Sequence, residues 1–268
     1  MNRTASPLEQ VSVLVTRPEH QAAPVCALLS AAGATALRFP ALAIEPVELD
    51  AAVERALVEL EHQQLLVFTS ANAVTALSGL LSRSRRTLPV DIPTAAIGRR
   101  TGALLRQAGM RQVSEAPAPY DSEALLAEPI MQRLCDRRAM LVTGQGGRGL
   151  LPKALYARGA QVSTLAVYRR VPPSADPEPL RCWLEQGDVD VVIVTSGEAL
   201  DNLLILSGER QRDVLLATPM VTLSSRIAQA ARQRGFHGAI VVTEPGDTAL
   251  VQGVVRWRRQ AEKRASDD

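Results

Sequence analysis

Apolar residues fall in short unbroken runs, separated by longer stretches in which they recur every third or fourth position. Short runs of this kind read as buried strands, and the longer periodic stretches as amphipathic helices. Strands are expected over residues 11–15, 65–68, 92–97, 110–115 and 139–143, with extended chain over 37–44 and 160–171. Helices are expected from Pro18-Glu19 to Gly33, over 49–61, over 71–82, over 99–108, over 121–136 and from the 144–149 loop to Gly159. Pro18 suits a first helical turn because no backbone donor is lost there, and Glu19 suits the positive end of the helix dipole. Gly109 marks a helix stop, and Asp121-Ser122 a cap. Residues 82–87 read as a basic loop; Pro172, Pro173, Pro177 and Pro179 mark a linker, after which the alternation resumes from Asp190 to a basic helix over 248–264. Strands alternating with helices of about ten to fifteen residues indicate parallel βαβ units and a doubly wound α/β architecture.

The pattern is written twice. Residues 65–77, LLVFTSANAVTAL, return as 191–203, VVIVTSGEALDNL, so that Thr69 pairs with Thr195, Ser70 with Ser196, Ala73 with Ala199 and Leu77 with Leu203. The same offset carries Arg100 to Arg226, Arg106 to Arg232, Gln107 to Gln233 and Gly109 to Gly235, and one residue more carries Leu14-Val15-Thr16 to Leu141-Val142-Thr143. A period this long is a duplicated domain and not a solenoid repeat. Two similar α/β units facing one another, each binding at the carboxyl ends of its strands, are the expectation. By repeat length alone the halves would divide near residue 127.

Composition narrows the chemistry. The 268 residues exceed the usual single-core size. A net charge of +2 and 3% aromatics speak against nucleic-acid binding, by bulk electrostatics or by base stacking. The three cysteines, Cys26, Cys135 and Cys182, lie far apart and read as free thiols of a reducing compartment. Three scattered histidines, His20, His62 and His237, speak against a metal site or a Ser-His-Asp triad. No apolar run approaches membrane-spanning length. No metal or cofactor is expected, and the protein is expected in the cytoplasm.

Six predicted strand ends precede helices: Thr16-Arg17, Thr69-Ser70, Gly98-Arg99-Arg100, Thr143-Gly144, Thr195-Ser196 and Ser224-Ser225-Arg226. Each offers free backbone N–H groups and a positive dipole end, a set of sockets for an anionic ligand. Each Ser or Thr also reads simply as a helix N-cap. Gly144-x-Gly146-x-x-Gly149 formally matches a dinucleotide fingerprint. The acidic residue expected about twenty positions on is replaced by Arg169-Arg170, and Pro152 falls early in the next helix, so nucleotide binding is not expected.

In their order and spacing, several short motifs resemble the uroporphyrinogen-III synthase family: Val15-Thr16-Arg17-Pro18, FTSANAV at 68–74, Ala96-Ile97-Gly98, YDSEALL at 120–126, Gly147-Arg148, Val167-Tyr168-Arg169 and Val194-Thr195-Ser196. The likeness runs over about residues 11–250; Leu223-Ser224-Ser225-Arg226 departs from the Ile-Gly-x-Thr common in the family. The resemblance implies two flavodoxin-like doubly wound domains, 1–37 plus 173–268 and 45–165, joined by linker strands 38–44 and 166–172, with a cleft between them. It implies dehydrative cyclisation of hydroxymethylbilane, a linear tetrapyrrole polycarboxylate, with inversion of the terminal pyrrole ring. Tyr168 would be the proton donor. Arg17, Thr69, Ser70, Asn72, Gly98, Thr143, Arg148, Thr195, Ser196, Ser224 and Arg226 would hold the substrate, with Arg99, Arg100 and His20 as lesser candidates. A monomer is implied, with hydroxymethylbilane synthase as a transient partner and no nucleic acid or membrane. The competing reading is a two-lobed binding or sensor protein for an anionic metabolite.

Overall fold

The computed structural model describes residues 6–146 and 149–267. The elements run β1 (Ser12–Val15), α1 (Glu19–Ala31), β2 (Thr35–Arg38), β3 (Ala43–Pro46), α2 (Ala51–Glu59), β4 (Leu65–Phe68), α3 (Ala71–Arg83), β5 (Thr94–Ala96), α4 (Arg99–Gln107), β6 (Val113–Glu115) and α5 (Ser122–Ala127). There follow β7 (Arg138–Gly144), α6 (Leu150–Ala157), β8 (Gln161–Val171), α7 (Glu178–Gln186), β9 (Val191–Val194), α8 (Gly197–Ala217), β10 (Met220–Thr222), α9 (Ser225–Gln233), β11 (Ile240–Val242) and α10 (Asp247–Asp267).

They form two sheets, ordered β11-β10-β9-β1-β2 and β3-β8-β7-β4-β5-β6. The pairings β1–β2, β1–β9, β9–β10 and β10–β11 are parallel, as are β4–β5, β4–β7, β5–β6 and β7–β8. The chain separates into two compact units, Met1–Ala43 with Val171–Asp268, and Ile44–Arg170. The halves are therefore interleaved and do not divide near residue 127, as repeat length alone suggested. Each sheet takes one repeat's first two strands, β1 and β2 or β7 and β8, together with later strands of the other repeat.

Both faces of each sheet are buried, as parallel sheets require. In β4, Leu66 and Phe68 pack with Leu57, Leu77, Leu80 and Leu105 of α2, α3 and α4. Their alternates Leu65 and Val67 pack with Leu125, Leu126, Leu151 and Leu155 of α5 and α6. In the other unit, Val13, Val15, Val191 and Ile193 meet Val25 and Leu29 of α1 and Leu250 and Val254 of α10. The alternates Leu14, Val192 and Val194 are equally buried. Alternate side chains of a strand point to opposite faces, so unbroken apolar runs are what two covered faces demand.

Two expected elements differ. The helix expected over 121–136 ends at Ala127, and a 3-10 turn over Pro129–Met131 follows, because proline removes a helical donor and disfavours helix in the residue before it. The extended stretch 37–44 is broken about Pro40, and its two ends enter different sheets as β2 and β3. Among the described residues no helix is long and apolar enough to cross a membrane.

Leu66 has no exposed surface. Its replacement by alanine is expected to cost about 2–5 kcal/mol in chemical denaturation followed by circular dichroism. A loss well under 1 kcal/mol would mean that this face is not packed as described.

Candidate functional site

In a doubly wound sheet the crevice for a ligand opens where the chain reverses its direction of travel across the strands. In the six-stranded sheet that point lies between β4 and β7, since β5 and β6 are on one side and β8 on the other. Thr69, just after β4, donates its hydroxyl to Thr143 Oγ1 of β7 at 3.0 Å. Ser70 is extended, with φ −164° and ψ 159°, and its Oγ accepts the Ala73 N–H at 3.2 Å as the N-cap of α3.

Tyr168 of β8 ends at the same place. Its register partner is Gly144, beside an irregularity between Thr143 and Gly144. A Cβ on Gly144 would lie 2.5 Å from Tyr168 Cζ, so the ring occupies room that only a glycine leaves. Tyr168 is 1% exposed. Its phenol oxygen is 3.1 Å from Ser70 Oγ and accepts from Arg170 Nη2 at 3.1 Å. The Arg170 guanidinium carbon also sits 5.4 Å from the ring centroid, within cation–π range. Residues two apart in a strand share a face, which brings Arg170 to the phenol, while Arg169 turns away to pair with Glu45 at 2.8 Å.

The corresponding point of the five-stranded sheet lies between β1 and β9. Thr16 is fully buried and donates to the Ile193 carbonyl oxygen at 2.7 Å. Arg17 is 8% exposed and ion-paired with Asp247, the first residue of α10. Arg17 also donates to Gln21 Oε1 at 3.4 Å, and its Nε is buried without a partner among the described residues. Ser196 caps α8 by accepting from Ala199 N–H at 3.1 Å, and Ser224 caps α9 through Ile227 N–H at 3.3 Å. The backbone at Ser196, φ −151° and ψ 156°, repeats that at Ser70.

The structure thus places Thr69, Ser70, Thr143 and Tyr168 together at one strand edge. Asn72 follows in the first turn of α3, and Gly98, at φ +84°, precedes α4. Gly98 stands where the second repeat has Ser224, and its left-handed backbone favours glycine. Arg99 lies over the Tyr120 ring at 5.4 Å, while Arg100 and Arg226 are exposed. Arg17, Thr195, Ser196, Ser224 and Arg226 belong to the other unit. Arg148 lies outside the described residues. Among those described, no group of three His, Cys, Asp or Glu side chains is placed to hold a metal ion. A hollow of about 370 Å³ opens at the opposite end of the six-stranded sheet, near Gln63, Arg138 and Gln161. There Arg138 Nε donates to the His62 carbonyl oxygen at 2.6 Å.

Sequence reasoning did not single out Gly144 as the seat of a tyrosine, Arg170 as its partner or Asp247 as the partner of Arg17. The first two had a signal: two residues separate Tyr168 from Arg170 in a strand, and a glycine stands at a strand end. Asp247 is 230 residues from Arg17 and had none.

The family profile described as uroporphyrinogen-III synthase HemD matches residues 24–252. The chain is 32% identical over 247 residues to the uroporphyrinogen-III synthase of Salmonella typhimurium strain LT2, covering 91% of this chain and 100% of that protein. This chain belongs to the uroporphyrinogen-III synthase family. The Escherichia coli uroporphyrinogen-III synthase is 29% identical over 245 residues, with 91% of this chain and all of that protein covered. A solved mutant synthase from Thermus thermophilus has the same fold at TM-score 0.61 and 24% identity, covering 93% of this chain and 99% of that one. The Helicobacter pylori synthetase aligns at TM-score 0.59 and 15% identity, covering 92% and 99%.

Within this family member, Gly144→Ala is expected to push the Tyr168 ring off its seat. The expected cost is about 1–3 kcal/mol in stability. Unchanged melting would show that the ring does not need the space.

Proposed function

We propose that the protein is an active uroporphyrinogen-III synthase, a cofactor-independent carbon–oxygen lyase. It closes hydroxymethylbilane to uroporphyrinogen III with inversion of the terminal pyrrole ring. Family membership supports the reaction. The observation that carries it to this chain's own residues is the Tyr168 phenol, buried at a strand edge against the Ser70 hydroxyl and the Arg170 guanidinium.

The reaction asks little covalent chemistry of the protein. The terminal hydroxyl departs as water, driven by the electron-rich pyrrole, and the ring closes through a spiro intermediate. The enzyme assists hydroxide departure, holds the chain folded and disfavours direct closure to the uninverted isomer I. Positioning and fixed donors supply that assistance. A phenol O–H held by fixed neighbours suits the donor's role. Substrate carboxylates are bound at Thr69, Ser70, Asn72, Gly98, Thr143 and Arg148, and at Arg17, Thr195, Ser196, Ser224 and Arg226. The helix-start serines combine capping with this task, since other N–H groups of the first turn stay open to an anion. Arg17 serves as a shared socket, because Asp247 already neutralises part of its charge. The three cysteines are free thiols, in keeping with a cytoplasmic setting.

Incubation of the purified protein with freshly prepared hydroxymethylbilane, followed by chromatographic separation of the isomers, is expected to give isomer III. Isomer I alone would reject the synthase reading in favour of a binding protein. Tyr168→Phe is expected to lower kcat roughly a hundredfold with the fold intact by circular dichroism. Turnover equal to wild type would remove the phenol from the mechanism.

A further inference from the structure

We infer that Arg170 makes Tyr168 and Ser70 a proton relay with a fixed resting orientation, in which the Ser70 hydroxyl faces the substrate and the buried phenol resupplies it. This rests on the cyclisation reading above.

The direction follows from counting donors. The Tyr168 oxygen accepts from Arg170, which can only donate. Ser70 Oγ accepts from the Ala73 N–H. One proton therefore joins Tyr168 and Ser70, and either oxygen could supply it. If Ser70 donated, the phenol would accept twice and its own proton would be buried without a partner, on a side chain 1% exposed. An orphaned buried donor is costly, so the phenol donates. Ser70 then accepts twice and keeps its own proton for an outside group. Ser70 is half-buried and sits at the start of α3, so its hydroxyl is the end of the chain that a ligand can reach.

The step balances. As the terminal C–O bond breaks, its electron pair leaves with the oxygen, which takes the Ser70 proton and departs as water. The Tyr168 proton moves to Ser70 Oγ, and the phenolate is left against the Arg170 guanidinium. The pyrrole nitrogen lone pair fills the vacancy at carbon. After ring closure the pyrrole sheds one proton, which returns through Ser70 to the phenolate. Arg170 is a positioning residue: it fixes the phenol's acceptor side, and it lies where negative charge develops, a contact of the stronger, charge-assisted kind.

The test is steady-state kinetics on hydroxymethylbilane in H2O–D2O mixtures for wild type, Arg170→Gln, Arg170→Lys and Ser70→Gly. Glycine at an N-cap costs helix stability far less than alanine, so Ser70→Gly removes the hydroxyl while sparing α3. Arg170→Gln is expected to lower kcat roughly tenfold to a hundredfold with KM changed by less than about twofold, and Arg170→Lys to recover most of the loss. Wild-type kcat is expected to depend on deuterium fraction along a curve, as for two protons in flight, and Ser70→Gly along a straight line. If wild type makes isomer III but Arg170→Gln leaves kcat unchanged, or raises KM alone, the relay is rejected and the synthase reading stands. Curved dependence in Ser70→Gly equal to wild type would also reject it. If wild type makes only isomer I, the synthase reading fails and takes the relay with it.

Discussion

A phenol hydroxyl taken out of water must find partners inside the protein, and this requirement organises one strand edge of the molecule. Tyr168 is packed into the core that α2, α3 and α4 build on the six-stranded sheet, yet its oxygen reaches two polar groups. To lie there the ring needs a neighbour with no side chain, supplied by Gly144 across β7 and β8. It needs a hydroxyl at the start of α3, supplied by the serine that already caps that helix. It also needs a donor on its own strand face, supplied by Arg170. Remove any of these and the buried oxygen becomes a liability of the kind proteins rarely tolerate.

The duplication presents the same position in two versions. The register that pairs Thr16 with Thr143 also pairs Arg17 with Gly144. In one unit the position carries a guanidinium, buried and tied to Asp247. In the other it carries nothing, and a tyrosine from the next strand fills the space. The hydroxyl corners were kept in both: Ser70 and Ser196 cap their helices with almost the same backbone angles. One copy keeps a paired charge at this position, and the other keeps a seat for the tyrosine ring.

Much of this was legible in the residues. The unbroken apolar runs at 65–68 and 191–194 call for cover on both faces, and their alternation with helices gave the parallel βαβ class. The interleaving of the two repeats was not legible from repeat length, because nothing local tells β1 to pair with β9 instead of with a strand of its own half. The break at Pro129 was a signal outweighed by an otherwise helical pattern. At the site, residue types and strand ends were visible in sequence. The donor count that assigns roles to them was not, since it depends on which oxygen lies 3.1 Å from which nitrogen.

The proposed relay turns on a single hydroxyl proton, and nuclear magnetic resonance of protein carrying ¹³C-labelled tyrosine observes it directly. Only three tyrosines are present, so signals are assigned by single replacement with phenylalanine. Tyr156, 60% exposed, donates its hydroxyl to the Val162 carbonyl oxygen at 3.1 Å and supplies the reference for a hydrogen-bonded phenol that water can reach. The expected result is a Tyr168 hydroxyl proton that exchanges far more slowly than that of Tyr156, shows contact with Ser70, and loses its protection in Arg170→Gln. A Tyr168 hydroxyl exchanging as fast as that of Tyr156 would contradict the account.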